Sequence, residues 1–107
     1  MATATVHVSA GALELVGSYE RTGDVLYLSA IGDDKRGAVQ ETPEGHAVRL
    51  DHDGRVTHLT AVNARWLLDH DGELIASLRD GRKLHVGRED VVDLIAARPS
   101  PRGDRFD

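Results

Sequence analysis

The tetrapeptide Asp-His-Asp-Gly occurs twice in this chain, at residues 51–54 and 69–72, and strand-like apolar residues flank both copies. Asp at the start of such a run and Gly at its end suit a type I turn whose last residue adopts positive φ, which Gly reaches without steric cost. We therefore predict two hairpin loops of one type, each closed by a glycine bulge. Two such loops set the register of a β-meander.

In that register Leu50 lies opposite Val56, and Leu68 lies opposite Leu74. Because side chains alternate between the two faces of a strand, the apolar residues of both hairpins gather on one face. The predicted core face consists of Val48, Leu50, Val56, Val62, Trp66, Leu68, Leu74, Ala76 and Leu78.

The opposite face carries three large aliphatic residues, Leu59, Leu67 and Ile75. A sheet that is covered on one side only should be polar on the other side. We therefore expect the N-terminal strands or a second copy of the protein to cover this face. If a second copy covers it, Leu59, Leu67 and Ile75 form the interface of a homo-oligomer, a dimer in the simplest case.

The period of the apolar residues changes near the C-terminus. The pattern there predicts one C-terminal helix over residues 88–98, which Pro99 ends, and a flexible polar tail at residues 99–107. Its apolar stripe and closing cation are Val91, Leu94, Ile95 and Arg98. The predicted fold is a single α+β domain over residues 1–98, a mostly antiparallel β-meander of consecutive hairpins with that helix.

Composition excludes several classes of function. The formal net charge of −5 repels phosphate backbones, and the aromatic fraction of 4% offers few stacking surfaces, so we expect no nucleic-acid partner. Without cysteine the chain has neither a thiolate nucleophile nor a sulfur-based zinc site. No apolar run approaches the roughly 20 residues that cross a membrane. With no basic and apolar leader, we expect a cytoplasmic protein that does not bind membranes.

The repeated tetrapeptide does not fit a calcium loop of the EF-hand type. Such a loop needs Gly at its sixth position and an acid at its twelfth, whereas counting from Asp51 gives Val56 and Val62. The chain has no phosphate-binding glycine loop and no nucleophile elbow. We therefore predict no metal, no cofactor and no catalytic residues, and favour a non-catalytic interaction or regulatory module over an enzyme.

A second hypothesis is a small-molecule site, either binding or enzymatic, in the cavity of a curved sheet. Its candidate ligand-binding residues are Trp66, Tyr27 and His58. An aromatic ring offers apolar area with a polar edge, and an imidazole exchanges protons near neutral pH. Alternatively, Trp66 packs in the hydrophobic core, and His58 is a structural histidine held by hydrogen bonds.

Between residues 19 and 63, several short segments follow one another in a characteristic order. They are Tyr19, Asp24-Val25-Leu26-Tyr27-Leu28, Gln40-Glu41-Thr42 and Val48-Arg49-Leu50-Asp51-His52-Asp53-Gly54-Arg55-Val56. Their order and spacing resemble those of the YuzE-like small proteins, the domain of unknown function 2283. Thr60 stands where that family usually has an acid.

The resemblance implies a small, largely antiparallel β protein of bacterial type with no established activity. Some members of that family look like partners of small toxin-like proteins. A third hypothesis for this chain is therefore an acidic, antitoxin-like partner of a basic protein, since opposite charges favour association.

Overall fold

A computed structural model describes residues 2–8, 11–30 and 37–96 of the chain. Within these residues, eight strands and two α-helices follow one another along the sequence. The strands are β1 (Ala2–Val8), β2 (Gly11–Glu20), β3 (Val25–Ser29), β4 (Ala38–Glu41), β5 (Ala47–Leu50), β6 (Val56–Val62), β7 (Glu73–Ser77) and β8 (Lys83–Gly87). The helices are α1 (Ala64–Asp71), between β6 and β7, and α2 (Val92–Ala96), which follows a 3₁₀ turn at Arg88–Asp90.

All eight strands belong to one antiparallel sheet with the order β4-β5-β6-β3-β2-β1-β8-β7. The sheet curls so that its inner face encloses the core, to which every strand except β4 contributes a fully buried aliphatic side chain. The largest of these are Leu15, Leu26, Leu28, Leu59, Leu74, Leu84, Val6, Val48 and Val86. The β-rich α+β fold predicted from the sequence is therefore confirmed in outline.

The first Asp-His-Asp-Gly run forms the predicted hairpin loop between β5 and β6. The amide of Asp51 donates to the carbonyl of Arg55 at 2.9 Å, and the amide of Gly54 donates to the carbonyl of Asp51 at 2.9 Å. Gly54 has the expected positive φ of 83°, and Leu50 pairs with Val56. This part of the prediction is confirmed.

The prediction for the second Asp-His-Asp-Gly run is wrong, because this run ends helix α1. Gly72 is the C-cap with φ 79°, and its amide donates to the carbonyl of Leu68 at 3.0 Å. A glycine with positive φ closes a helix as well as it closes a hairpin. Leu68 is still buried, but it does not pair with Leu74, and Trp66 is 55% exposed on the helix instead of lying in the core.

Strand β6 contains a β-bulge, so the predicted alternation of its side chains between the two faces is wrong from Thr57 onward. Arg49 pairs with His58 and Leu50 pairs with Val56, so Thr57 is the extra residue. An extra residue turns every later side chain of the strand to the opposite face. Leu59 therefore points into the core, where it is 1% exposed, while Val62 is only half-buried. Leu59 thus lies on the face opposite to the predicted one.

The C-terminal helix begins later than predicted, and α1 is an additional helix. The carboxylate of Asp90 accepts a hydrogen bond from the amide of Gly87 at 2.8 Å, and this contact supports the 3₁₀ turn ahead of α2. Residues 97–98 and the tail at 99–107 lie outside the described residues. No helix in the described part of the chain is long and apolar enough to cross a membrane.

Candidate functional site

The two edge strands of the curled sheet, β4 and β7, face each other along a line that we call the seam. Side chains from β4 and from the turn after it reach across the seam to β7 and the residues that follow it. Gln40 Oε1 accepts a hydrogen bond from the amide of Arg79 at 3.1 Å. Glu44, in the turn after β4, accepts two from Ser77, one from the amide at 2.9 Å and one from the hydroxyl at 2.6 Å. We call the pair of bonds between Glu44 and Ser77 the Glu44 latch.

The latch depends on an ionised carboxylate. Glu44 is an exposed residue. Desolvation of its carboxylate opposes ionisation, but the bonds from the hydroxyl and amide of Ser77 outweigh that effect and lower its pKa from 4.5 to about 2. A carboxyl with a depressed pKa stabilises the fold fully above its unfolded pKa. The stabilisation from Glu44 is therefore present at neutral pH and is lost as the pH falls from 4.5 towards 2.

At one end of the seam lies an open cleft of about 470 Å³, which we call the seam cleft. Leu67 from α1 and Ile75 from β7 form its apolar part. Its other lining residues are Glu44, His46, Asp71, Glu73 and Lys83. The cleft thus brings together two of the three residues of the predicted interface, whereas the third, Leu59, is buried in the core.

Helix α1 presents Leu67 to the cleft because a distant carboxylate caps its N-terminus. The two carboxylate oxygens of Asp24 accept hydrogen bonds from the amides of Arg65 and Trp66 at 2.7 and 3.2 Å. The hydroxyl of Tyr19 donates to the same carboxylate at 2.7 Å. An anion satisfies the free amides of a helix N-terminus and interacts favourably with its dipole. Asp24 is therefore a positioning residue, to which sequence reasoning gave no such role.

The cap also shifts the pKa values of its own members. Partial burial of Asp24 opposes ionisation, but hydrogen bonds from the Arg65 amide, the Tyr19 hydroxyl and the Trp66 amide together hold its pKa below the ordinary value. Burial and the neighbouring carboxylate raise the pKa of Tyr19 to about 12. At neutral pH the phenol therefore remains a donor and the carboxylate an acceptor.

A second concave region, which we call the outer groove, lies on the outer face of β2, β3 and β6 and measures about 320 Å³. Tyr27 and His58 both line it. The other lining residues are Val16, Gly17, Ser18, Leu28, Ser29 and Thr60. The bulge at Thr57 turns His58 outward to this groove. Trp66 is not among the lining residues, because it lies on α1 with its ring stacked on His70 at a centroid distance of 3.8 Å.

His46 is a buried histidine in the turn that leads into β5. It is 2% exposed and lines the seam cleft on one side and a smaller cleft beside Val62 on the other. Its Nδ1 accepts a hydrogen bond from the amide of Val62 at 3.1 Å, whereas its buried Nε2 has no partner among the described residues. Burial lowers the pKa of His46 below 6.5, and the charge of Glu44 opposes that shift.

Among residues 2–8, 11–30 and 37–96, no group of three or more His, Asp or Glu side chains could hold a metal ion. Comparisons of the chain with protein-family models, with curated proteins and with solved structures gave no match. The resemblance of residues 19–63 to the YuzE-like proteins therefore stays a prediction from the sequence.

Proposed function

We propose that this protein is a non-catalytic interaction module that forms a homodimer through the seam cleft and the adjacent edge of β7. The observation that carries the proposal is the convergence of Leu67 and Ile75 beside an edge strand. An unpaired strand edge is a template for pairing with another chain. Apolar side chains at such an edge add the burial that stabilises an interface.

A second copy of this chain is the occupant that best fits the edge. The amide of Ser77 points towards the seam, since it donates to Glu44. In an antiparallel strand, residues two apart direct their backbone groups the same way, so those of Glu73 and Ile75 point to the free edge as well. Two identical edges pair antiparallel about a twofold axis, which gives a closed dimer.

The charges of the seam cleft suit such a symmetric contact. Asp71 and Glu73 are acidic and Lys83 is basic, and all three line the cleft around Leu67 and Ile75. A twofold axis through this region brings Lys83 of one copy towards the partner's Asp71 and the partner's Glu73. Charges of both signs around an apolar centre make a surface complementary to itself.

Replacing Ile75 by lysine should shift the protein from dimer to monomer. The substitution removes an apolar contact and places two like charges at the twofold axis, so we expect the dissociation constant to rise by at least about tenfold, or about 1.4 kcal/mol. Light scattering over a concentration series measures the shift.

Val92→Lys is the matched control, because Val92 is 49% exposed on α2, which packs against the central strands β1 and β2. This control should leave the dimer intact. A folded Ile75→Lys dimer with unchanged affinity would contradict the proposed interface, and a wild-type monomer at high concentration would contradict the proposed function.

A second candidate function is the binding of a small polar molecule in the outer groove. The favouring observation is that the bulge at Thr57 directs His58 to the groove that Tyr27 also lines, and bulges of this kind often re-aim side chains at binding sites.

On addition of a ligand from a metabolite panel, we expect amide resonances of Ser18, Ser29 and Thr60 to move together, and Tyr27→Ala to weaken binding. Trp66 fluorescence should stay constant, because Trp66 lies outside the groove lining. If no compound of the panel shifts the amide resonances of the residues that line the outer groove, this candidate function is wrong.

The hypothesis of an acidic, antitoxin-like partner of a basic protein rests on the net charge of −5 and on the family resemblance. It remains a proposal from the sequence, as does the cytoplasmic location.

A further inference from the structure

We infer that proton uptake by His46 releases the Glu44 latch and opens the seam, so that pH regulates the self-association of this chain. The inference rests on the proposed function, because it assigns a regulation to the same edge of β7. Its structural half, the coupling of His46 to the latch, can be tested in a monomer.

The hydrogen bonds of His46 fix its neutral form. Because Nδ1 accepts from the amide of Val62, the ring proton must sit on Nε2. Nε2 points nearly the opposite way and has no partner among the described residues. The backbone of His46 closes the turn that carries Glu44, since the amide of Thr42 donates to the His46 carbonyl at 2.8 Å. The ring of His46 and the carboxylate of Glu44 therefore belong to the same short turn, residues 42–46.

Protonation of Nδ1 converts the only accepting atom of the ring into a donor that faces another donor, the amide of Val62. With the latch closed, the resulting imidazolium would hold two buried N–H groups, neither of which has an acceptor among the described residues. Burying a charge without a partner costs several kcal/mol in proteins, and an unsatisfied buried donor adds to that cost. The protonated ring cannot remain where the neutral ring lies.

The ring has two ways to relieve this cost, and both release the latch. It can swing out to water, which pulls the turn of residues 42–46 away from β6 and takes Glu44 with it. Alternatively, the carboxylate of Glu44 can turn to the imidazolium, and it must then give up Ser77. In either case the amide and hydroxyl of Ser77 lose their acceptor.

The charged groups around His46 come from every element packed against it. On the side of the seam cleft they are Glu44 from its own turn, Asp71 from α1, Glu73 from β7 and Lys83 from β8. On the side of the smaller cleft Glu41 comes from β4. The charge of Glu44 favours the imidazolium, so proton uptake becomes possible once the ring gains access to water.

Release of the latch lengthens the edge available for pairing. With the latch closed, the amides of Glu73 and Ile75 point to the unpaired edge of β7, while the amide of Ser77 is occupied by Glu44. With the latch open, the amide of Ser77 joins them. Self-association should therefore strengthen as the pH falls through the midpoint of His46.

The coupling is tested on the wild-type protein by NMR titration at low concentration. The amide resonances of Val62 and Ser77 should move with one common midpoint, which lies below 6.5 and equals that of the His46 ring. Movement of Val62 without Ser77 would overturn the release of the latch. A Val62 resonance that does not follow the ring would overturn the role of His46.

The regulation is tested by sedimentation about two pH units above and about one unit below that midpoint, where a histidine is mostly neutral and mostly charged. His46→Gln keeps an acceptor for Val62 but does not titrate. His52→Gln removes one histidine whose side chain is 91% exposed in the hairpin loop, and so it matches the change in net charge. Wild type and His52→Gln should gain at least about tenfold in affinity at the lower pH, whereas His46→Gln should not.

An equal gain in both variants would overturn the regulation by His46. If NMR shows the coupling between His46 and the Glu44 latch but no variant associates at any pH, the proposed dimer is wrong and the inferred release of the latch is still supported.

Discussion

Replacing Leu59 by alanine should lower the free energy of unfolding by about 2–5 kcal/mol, the range for a buried leucine whose removal leaves a cavity. Leu59 is 1% exposed. It lies between Leu28 of β3 and Val48 of β5, with which it pairs in the middle of the sheet. Urea unfolding followed by Trp66 fluorescence measures the loss.

Leu67→Ala is the control that separates the core from the seam cleft. Leu67 is half-buried at the cleft, so its truncation removes less buried area and should cost clearly less stability than the change at Leu59. Its main effect should be on the dimer. If Leu59→Ala weakens the dimer while leaving the stability of the monomer unchanged, Leu59 faces a partner and β6 has no bulge at Thr57.

Replacing Gly17 by alanine should destabilise the fold by roughly 1–3 kcal/mol, the usual cost of forcing extra atoms into a packed interior. Gly17 lies in the middle of β2 opposite Leu28. A Cβ atom there would overlap the carbonyl oxygen of Tyr27 and the Cδ2 atom of Leu28. Since the backbone of β3 cannot move without disturbing its pairing with β6, the overlap cannot be relieved cheaply.

Gly11→Ala tests the same chemical change without the overlap. Among the described residues, the nearest neighbour of a Cβ at Gly11 would be the carbonyl oxygen of Val8, at 3.8 Å. Replacing a glycine where there is room usually leaves stability unchanged or raises it by about 0.4–1 kcal/mol, because the unfolded chain loses freedom. Thermal unfolding of both variants measures the contrast. Equal effects at the two sites would mean that β2 and β3 do not approach closely at Gly17.

The sequence predicted the elements that short-range rules determine. The loop at residues 51–54 follows from Asp and Gly at fixed offsets between two strands. The loop at residues 69–72 has the same letters, yet it ends a helix. Local rules cannot distinguish the two cases, because Gly72 satisfies both.

The residue that favours a helix before the second run, at residues 69–72, lies far away in the sequence. Asp24 supplies the N-terminal cap of α1 across a separation of 41 residues, and no pattern within the helix reveals it. The bulge at Thr57 depends likewise on how β5 and β6 pair, and it reverses the face of every later residue in β6. Both features are visible only once the strands are in place.

These two features also explain how the candidate sites departed from expectation. Leu67 and Ile75 do converge, but through a helix packed beside β7 and not through two neighbouring hairpin strands. Tyr27 and His58 converge because the bulge turns His58 outward. Trp66 does not lie with Tyr27 and His58, because helix α1 places it on another surface. His46 was missed because neither its burial nor its nitrogen without a partner among the described residues can be recognised from residue type.

The place of β1 in the sheet bears on how the chain reaches its native state. Ala2–Val8 pairs on one side with β2, its immediate successor, and on the other with β8, through His7 with His85 and Val8 with Leu84. Contacts between residues so distant along a chain slow folding, since a large loop must close before they form. During synthesis β1 must wait for β8, the last of the eight described strands, so a ribosome-bound fragment that lacks β8 would expose the flank of β1 to the cell's chaperones.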